Sequence, residues 1–456
     1  MRMLNTHRNV WSLAVALPGL VWSIALGSLT LPGTARALPS FARQTGQECA
    51  ACHNGFPELT PYGRLFKLNG YVFPGTTSNA PPLAAMMVDS FTHTQAAQIG
   101  GAAPGYSPNN NFAFEFASLF YGGAIASDFG IGAFIQATFD HVGHRLSWDN
   151  TDIRWAHASM LGDQELVYGV TVNNNPTVTD LWNTTPAWRY PFQTSALAPS
   201  PETATVIEGS LAGSSLGTTT YLYWNRLIYA EIGAYHTLST RGDTTLGVDP
   251  TGTNSSDGPA FYWRAAVEPK WGRNSLEVGT FGLAGSFLPG RVSGFGSDEV
   301  TDYGIDSQYQ FLAADHSVSV QASEILEKST YNSSFAQGLS SNLHDSLTSA
   351  HIKASYAYEQ TYAATLSYFH ISGNTDAGLY SGISANNSPN SAGFIGELDY
   401  TPFNHGGPGF WPWANLRLGL QYVYYLKYDG ASKNYDGNGT NAAANNTLYL
   451  FSWWAF

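Results

Sequence analysis

The chain has 456 residues, 20 Lys+Arg against 33 Asp+Glu, and a formal net charge of −13; its charged fraction of 12% is about half that of an ordinary soluble domain. An acidic balance excludes a nucleic-acid binder, which carries a basic face. Two cysteines cannot staple a chain of this length, and 14% aromatic residues exclude disorder. A mean hydropathy of −0.15 is too low for a helical membrane protein and suits a transmembrane β-barrel, whose strands alternate apolar with polar residues.

Residues 1–37 read as a secretory signal. Arg2 and Arg8 open it, an apolar stretch from Val10 to Leu31 follows, and Ala35-Arg36-Ala37 supplies a small-residue cleavage site. A single membrane anchor is the competing reading, but Pro18 and Gly19 interrupt the stretch. No later apolar run reaches the roughly 18–20 residues of a spanning helix.

Residues 38–83 form a second unit, a small, mostly α segment and its linker. Ser40 caps a predicted turn over Phe41 to Thr45, and Thr60-Pro61 opens another that ends near Gly70. Between them lies Cys49-Ala50-Ala51-Cys52-His53, a C-x-x-C-H. Two thiols at this spacing can add to the two vinyl groups of one haem, and the adjacent histidine then supplies an axial nitrogen to iron. A redox disulfide would sit in a thioredoxin-like βαβ pattern, which is absent, and a zinc site would need a second cysteine pair. The expectation is one covalent haem c on Cys49, Cys52 and His53, with His53 as the metal ligand. Fewer than 40 residues are too few to wrap a haem alone, so a barrel wall is expected to complete the site. Phe41, Phe56, Tyr62, Leu65, Phe66 and Tyr71 are candidate covers, and Arg43, Arg64 and Lys67 are candidate propionate partners. Met86, Met87, Met160 and His93 are open candidates for the sixth iron position. TTSNAPPL (76–83) reads as a polar linker.

From residue 84 to 456 the period changes to two. Phe112, Phe114 and Phe116 alternate with Ala113, Glu115 and Ala117; Ile352, Ala354, Tyr356 and Tyr358 with Lys353, Ser355 and Ala357; and Leu416 to Tyr424 with Asn415, Arg417, Gly419 and Gln421. Large apolar groups on one face and small or polar ones on the other fit a lipid-facing exterior and a wet lumen. Strand-like runs recur near 84–95, 129–142, 150–161, 165–174, 203–213, 218–224, 227–237, 259–270, 274–283, 302–312, 315–325, 362–371, 391–402 and 446–456. With the three above the count is sixteen or seventeen, and sixteen is the even number predicted, although the parity of turns fails between 175 and 225. Short turns (127–129, Asn225-Arg226, 360–361) alternate with long Gly/Ser/Asn/Asp-rich loops. The stretch from Asn173 to Phe192 is too irregular for a strand and reads equally as a loop folded into the lumen or a long surface loop. Asp298, Glu299, Asp302 and Asp306 form an acidic cluster, read either as solvated charge or as oxygen ligands for hard cations. The chain ends LYLFSWWAF, closing on Phe456.

FARQTG (Phe41 to Gly46), CAACH and FPELTPYGRLFKLNGY (Phe56 to Tyr71), followed by a porin-sized barrel, resemble the fused monohaem cytochrome c–porins of bacterial outer membranes, a family that includes outer-membrane iron(II) oxidases. The resemblance covers the architecture of the whole mature chain, with specific motifs in about 35 residues. It implies an all-β transmembrane antiparallel barrel and a haem held in the pore, in or at the lumen or on the periplasmic side. Electrons would then pass from an extracellular donor such as Fe(II) to a periplasmic cytochrome or other carrier, an Fe(II):cytochrome c oxidoreductase-like activity. The competing expectation is a haem-plugged transport porin without iron oxidase activity. A haem peroxidase is a third reading, weakened because a di-haem enzyme would need a second C-x-x-C-H.

Overall fold

A computed structural model describes residues 39–73, 81–248 and 254–456. The predicted signal and all but the end of the predicted linker lie outside the described residues. Three short helices come first: α1 (Pro39–Thr45), α2 (Cys49–Cys52) and α3 (Pro61–Leu68). The strands follow as β1 (Leu83–Thr94), β2 (Asn111–Ala126), β3 (Ile131–Asp140), β4 (Arg145–Leu161), β5 (Gln164–Asn173), β6 (Ser215–Trp224) and β7 (Ile228–Thr237). Next comes β8, interrupted into Asn254–Ser256, Ala260–Val267 and Lys270–Trp271, and then β9 (Asn274–Pro289) and β10 (Asp298–Leu312). The last six are β11 (His316–Thr330), β12 (His344–Tyr358), β13 (Tyr362–Gly373), β14 (Ser391–Tyr400), β15 (Asn415–Lys427) and β16 (Thr447–Ala455).

The three pieces of β8 follow one another along the same edge of β9, so the described residues form sixteen strands. Each pairs antiparallel with its neighbours. The barrel closes where β1 pairs with β16, with Met86 opposite Ala455 and Thr94 opposite Thr447. Closure leaves no unpaired sheet edge, which a membrane span requires.

Alternation runs opposite to that of a water-soluble sheet. In β6, Ser215, Gly217, Thr219, Tyr221 and Tyr223 are buried while Leu216 and Leu222 face outward. Leu366, Leu398 and Leu420 on three successive strands are likewise exposed, whereas Arg154, Asp152 and Arg264 are completely enclosed. Apolar side chains outside and charged ones inside make sense only with lipid around the barrel. Even-to-odd connections are mostly tight, as at 162–163, 225–227 and 272–273, and odd-to-even ones are mostly long, as at 95–110, 331–343 and 428–446. These are the features of a bacterial outer-membrane barrel of porin type. Among the described residues no helix is long and apolar enough to cross a membrane.

Two sequence expectations fail locally. The run 203–213 is not a strand: it belongs to the connection 174–214 between β5 and β6, and its Ile207 and Leu211 pack on Tyr235, Tyr262 and Phe281 of the wall. Removing it restores the parity that failed between 175 and 225. Phe116 does not share the outward face of Phe112. The β1–β2 pairing shifts between Val88↔Phe116 and Asp89↔Phe114, so Glu115 is an extra residue. This bulge turns Phe116 into the lumen, where it lines a cavity.

Candidate functional site

The N-terminal segment and the connection 174–214 meet inside the barrel. The segment sits at the short-turn end: Ala50 N donates to Asn404 O in the 401–414 turn at 3.2 Å, and Gly70 packs on Gly130 and Ala156. Its irregular backbone is possible at this depth because protein, rather than lipid, surrounds it.

Local hydrogen bonds hold the C-x-x-C-H run. After α2 the backbone becomes extended at His53, which bridges back to Leu59, and Asn54 N donates to Glu58 O at 2.7 Å. Thr60 caps α3 by accepting from Gly63 N at 3.2 Å, and its hydroxyl donates to Ala51 O at 2.6 Å, tying α3 to α2. Gly63 lies so near that a Cβ there would sit 2.3 Å from Cys52 O.

His53 Nδ1 lies 2.9 Å from Pro57 O. A carbonyl only accepts, so the proton is on Nδ1 and the Nε2 lone pair is free of it. Burial lowers the imidazole pKa to about 4, which keeps the ring neutral at ordinary pH. Burial pushes the Cys52 thiol up to about 12 and raises Cys49 as well, the opposite of a reactive redox dithiol. Cys49 is buried beside Ala42 and Trp411, with Asn415 Nδ2 3.3 Å from its sulfur.

Cys52 and His53 border a cavity of about 480 Å³. Phe41, Phe56, Phe66, Lys67 and Tyr71 line it from the segment, as do Met86, Phe116, Phe120, Phe134 and Trp453 from the wall. The connection contributes Asn183, Trp188, Arg189, Phe192 and Gln193. Phe56 packs edge-on against both His53 (4.9 Å between ring centres) and Trp453 (5.3 Å). Trp188 packs on Phe134 at 5.6 Å.

Buried polar bonds fix the segment to its surroundings. Arg64 reaches Glu268 at 2.5 Å and Gln310 at 2.8 Å, Lys353 of β12 pairs with Glu58, and Tyr71 donates to Asp152 at 2.6 Å. Lys67 Nζ donates to Val178 O (2.7 Å) and Asp180 O (2.6 Å) of the connection. Asp180 in turn accepts from the backbone of Trp182, Thr184 and Thr185 at 2.9–3.0 Å and lies 3.3 Å from Arg264. Of the two readings of 173–192, the lumen loop is therefore the observed one.

The remaining sequence candidates divide. Tyr62 is exposed and Leu65 packs on the Leu181–Trp182 cluster, so neither lines the cavity. Arg64 is committed to the wall, and Arg43 bonds Leu83 O and lies over Trp413, which leaves Lys67 as the only one of the three cations at the cavity. Of Met86, Met87, Met160 and His93, only Met86 lines it; Met160 faces outward, and His93 is 2.8 Å from Asn110 near the long-loop end. The acidic cluster is dispersed among local partners: Asp298 accepts from Ser333 N and Ser334 N, Asp302 from Ile207 N, and Asp306 pairs with Arg264 at 2.7 Å. Among the described residues no three His, Cys, Asp or Glu side chains converge as a metal site. Sequence reasoning missed Phe116, Phe134, Trp188 and Arg189 as cavity residues; the aromatic, proline-containing character of 173–192 was the available signal for the last two.

No family model and no curated protein matches the chain. Solved structures similar to it include the outer membrane channel DcaP of Acinetobacter baumannii (11% identity, 84% of this chain and 100% of that one, TM-score 0.42). Others are Salmonella typhi OmpF in complex with daunomycin (10%, 82% and 97%, 0.42) and OmpT of Vibrio cholerae (10%, 82% and 96%, 0.40).

Proposed function

We propose that this outer-membrane barrel is an electron conduit: one c-type haem on Cys49, Cys52 and His53 accepts electrons from an extracellular donor, Fe(II), and passes them to a periplasmic carrier. The observation that carries the reading is the placement of Cys52 and His53 of the C-x-x-C-H run at an aromatic-lined cavity in the lumen. Cys52 and His53 fit the group at the cavity wall, whereas Cys49 lies buried against Ala42 and Trp411, with Asn415 Nδ2 at its sulfur, and would have to turn toward the cavity to join it. A volume of about 480 Å³ lies within the roughly 300–1,000 Å³ of cofactor pockets. The Nδ1 bond to Pro57 O fixes the ring and leaves Nε2 as an iron ligand, the usual support of a metal-bound histidine. Once bound, the haem would supply a one-electron couple whose potential depends on ligation and burial.

The chain's own residues do the rest. Aromatic side chains line the cavity, and Arg64, Lys353 and Tyr71 fix the segment in the barrel. The Asp180-centred loop lies in the lumen, which favours moving electrons over moving solutes. Short turns mark the periplasmic end of outer-membrane barrels, so the segment would face a periplasmic acceptor. The net charge of −13 favours approach of cations.

The test is stopped-flow absorbance of the oxidised, detergent-purified protein mixed with Fe(II). The expected result is rapid reduction of the haem bands, abolished in His53→Ala. A c-type haem inert to Fe(II) would overturn the iron assignment. An open, ion-conducting pore would favour the haem-plugged transport porin.

A further inference from the structure

Resting on the haem reading, we infer that Arg189, carried by the lumen loop, binds a haem propionate and thereby couples loop 174–214 to the cofactor. Two cations line the cavity, Lys67 and Arg189. Lys67 already donates to two backbone carbonyls. Arg189 uses only Nη2 for the protein, donating to Glu208 at 2.6 Å, and its Nη1 is buried with no acceptor among the described residues. Arg43, Arg64, Arg154, Arg264 and Arg417 also have unmatched donors, but none of them lines this cavity.

A buried guanidinium donor without an acceptor is costly, and a carboxylate satisfies it best through a charge-assisted bond. Haem carries its carboxylates on one edge, so its macrocycle and its propionates need different surroundings. The cavity lining includes both kinds of group: the aromatic rings of Phe41, Phe116, Phe120 and Trp453, and the polar side chains of Gln136, Asn150, Asn183, Arg189 and Gln193. Glu208 is the counter-anchor. It also accepts from Ser349 at 2.7 Å and Thr205 N at 3.0 Å and lies 4.0 Å from His351, so it is itself held in place against the guanidinium.

The test compares haem-loaded wild type with Arg189→Gln and Glu208→Gln, using resonance Raman spectra of the propionate bending modes and redox titration. Arg189→Gln is expected to shift a propionate mode and to lower the midpoint by on the order of tenfold in the reduction equilibrium, ~59 mV for one electron. Glu208→Gln breaks the same ion pair but keeps the guanidinium, so the mode stays and the midpoint rises. Unmoved propionate modes in a haem-loaded Arg189→Gln protein, or equal shifts in both variants, would overturn the inference and leave the haem reading intact. Wild type lacking covalent haem would overturn both. If Arg189→Gln does not accumulate, Arg189→Lys replaces it: charge is retained but the fork is lost, so the mode should shift with little change in midpoint, and an unchanged mode overturns the inference.

Discussion

The Arg64 guanidinium lies 2.5 Å from the Glu268 carboxylate, with 4% and 2% of the two side chains exposed, and this pair joins helix α3 to the barrel wall. Gln308 and Gln310 accept from the same guanidinium, and Tyr223 donates to Glu268 at 2.5 Å. Removing one member strands a buried charge, at a cost of about 3–5 kcal/mol. Arg64→Met should therefore loosen the segment and raise single-channel conductance in planar bilayers. Arg64→Met with Glu268→Gln should recover most of the loss, and a double variant as leaky as the single one would refute the pairing.

A second anchor predicts a pH dependence. Burial alone would raise the Glu58 carboxyl, but the Lys353 ammonium and hydrogen bonds from Lys353, Ser319 and Gln310 hold it below its ordinary value of 4.5. A carboxylate lowered in the folded state contributes stability that is present above the unfolded value and lost as pH falls through the folded one. Docking of the segment, followed by near-ultraviolet circular dichroism, should hold steady above pH ~4.5 and weaken below it. Glu58→Gln should flatten that dependence and weaken docking at neutral pH.

Gly63 allows α3 to pass against the C-x-x-C-H backbone. An alanine Cβ there would meet Cys52 O at 2.3 Å, and the segment would have to shift at a cost of about 1–3 kcal/mol. On the proposed haem reading, Gly63→Ala should reduce the haem content per chain in a haemochrome assay, while Tyr62→Ser, at an exposed neighbour, should not.

Asp180 organises the lumen loop through three backbone N–H groups and Arg264. Asp180→Ala leaves those donors unmatched at roughly 1–3 kcal/mol each. The loop should then come away from the wall and raise ion current above that of wild type. Unchanged current would mean the loop does not block the lumen.

The strands were legible because the period-two pattern is local and lipid enforces it strictly. The same cue misled at 203–213, where Val206, Ile207 and Leu211 fill a cluster against the wall without any sheet partner. It misled again at Phe116, where one extra residue reversed the face. The C-x-x-C-H run and the Thr60 cap were readable because their chemistry lies within a few residues. The cavity was not, because Phe134, Trp453 and Arg189 meet only through barrel closure and the inward turn of the loop. Arg64 looked like a propionate partner on sequence, but Glu268, 204 residues away, claims it.

The most direct test of the central claim is the intact mass of the purified mature chain under denaturing conditions. The predicted result is a polypeptide heavier by one haem, with the added mass gone when Cys49 and Cys52 are both changed to Ala. An unmodified mass from cells competent in c-type haem attachment would contradict it and leave a barrel with no electron-carrying centre.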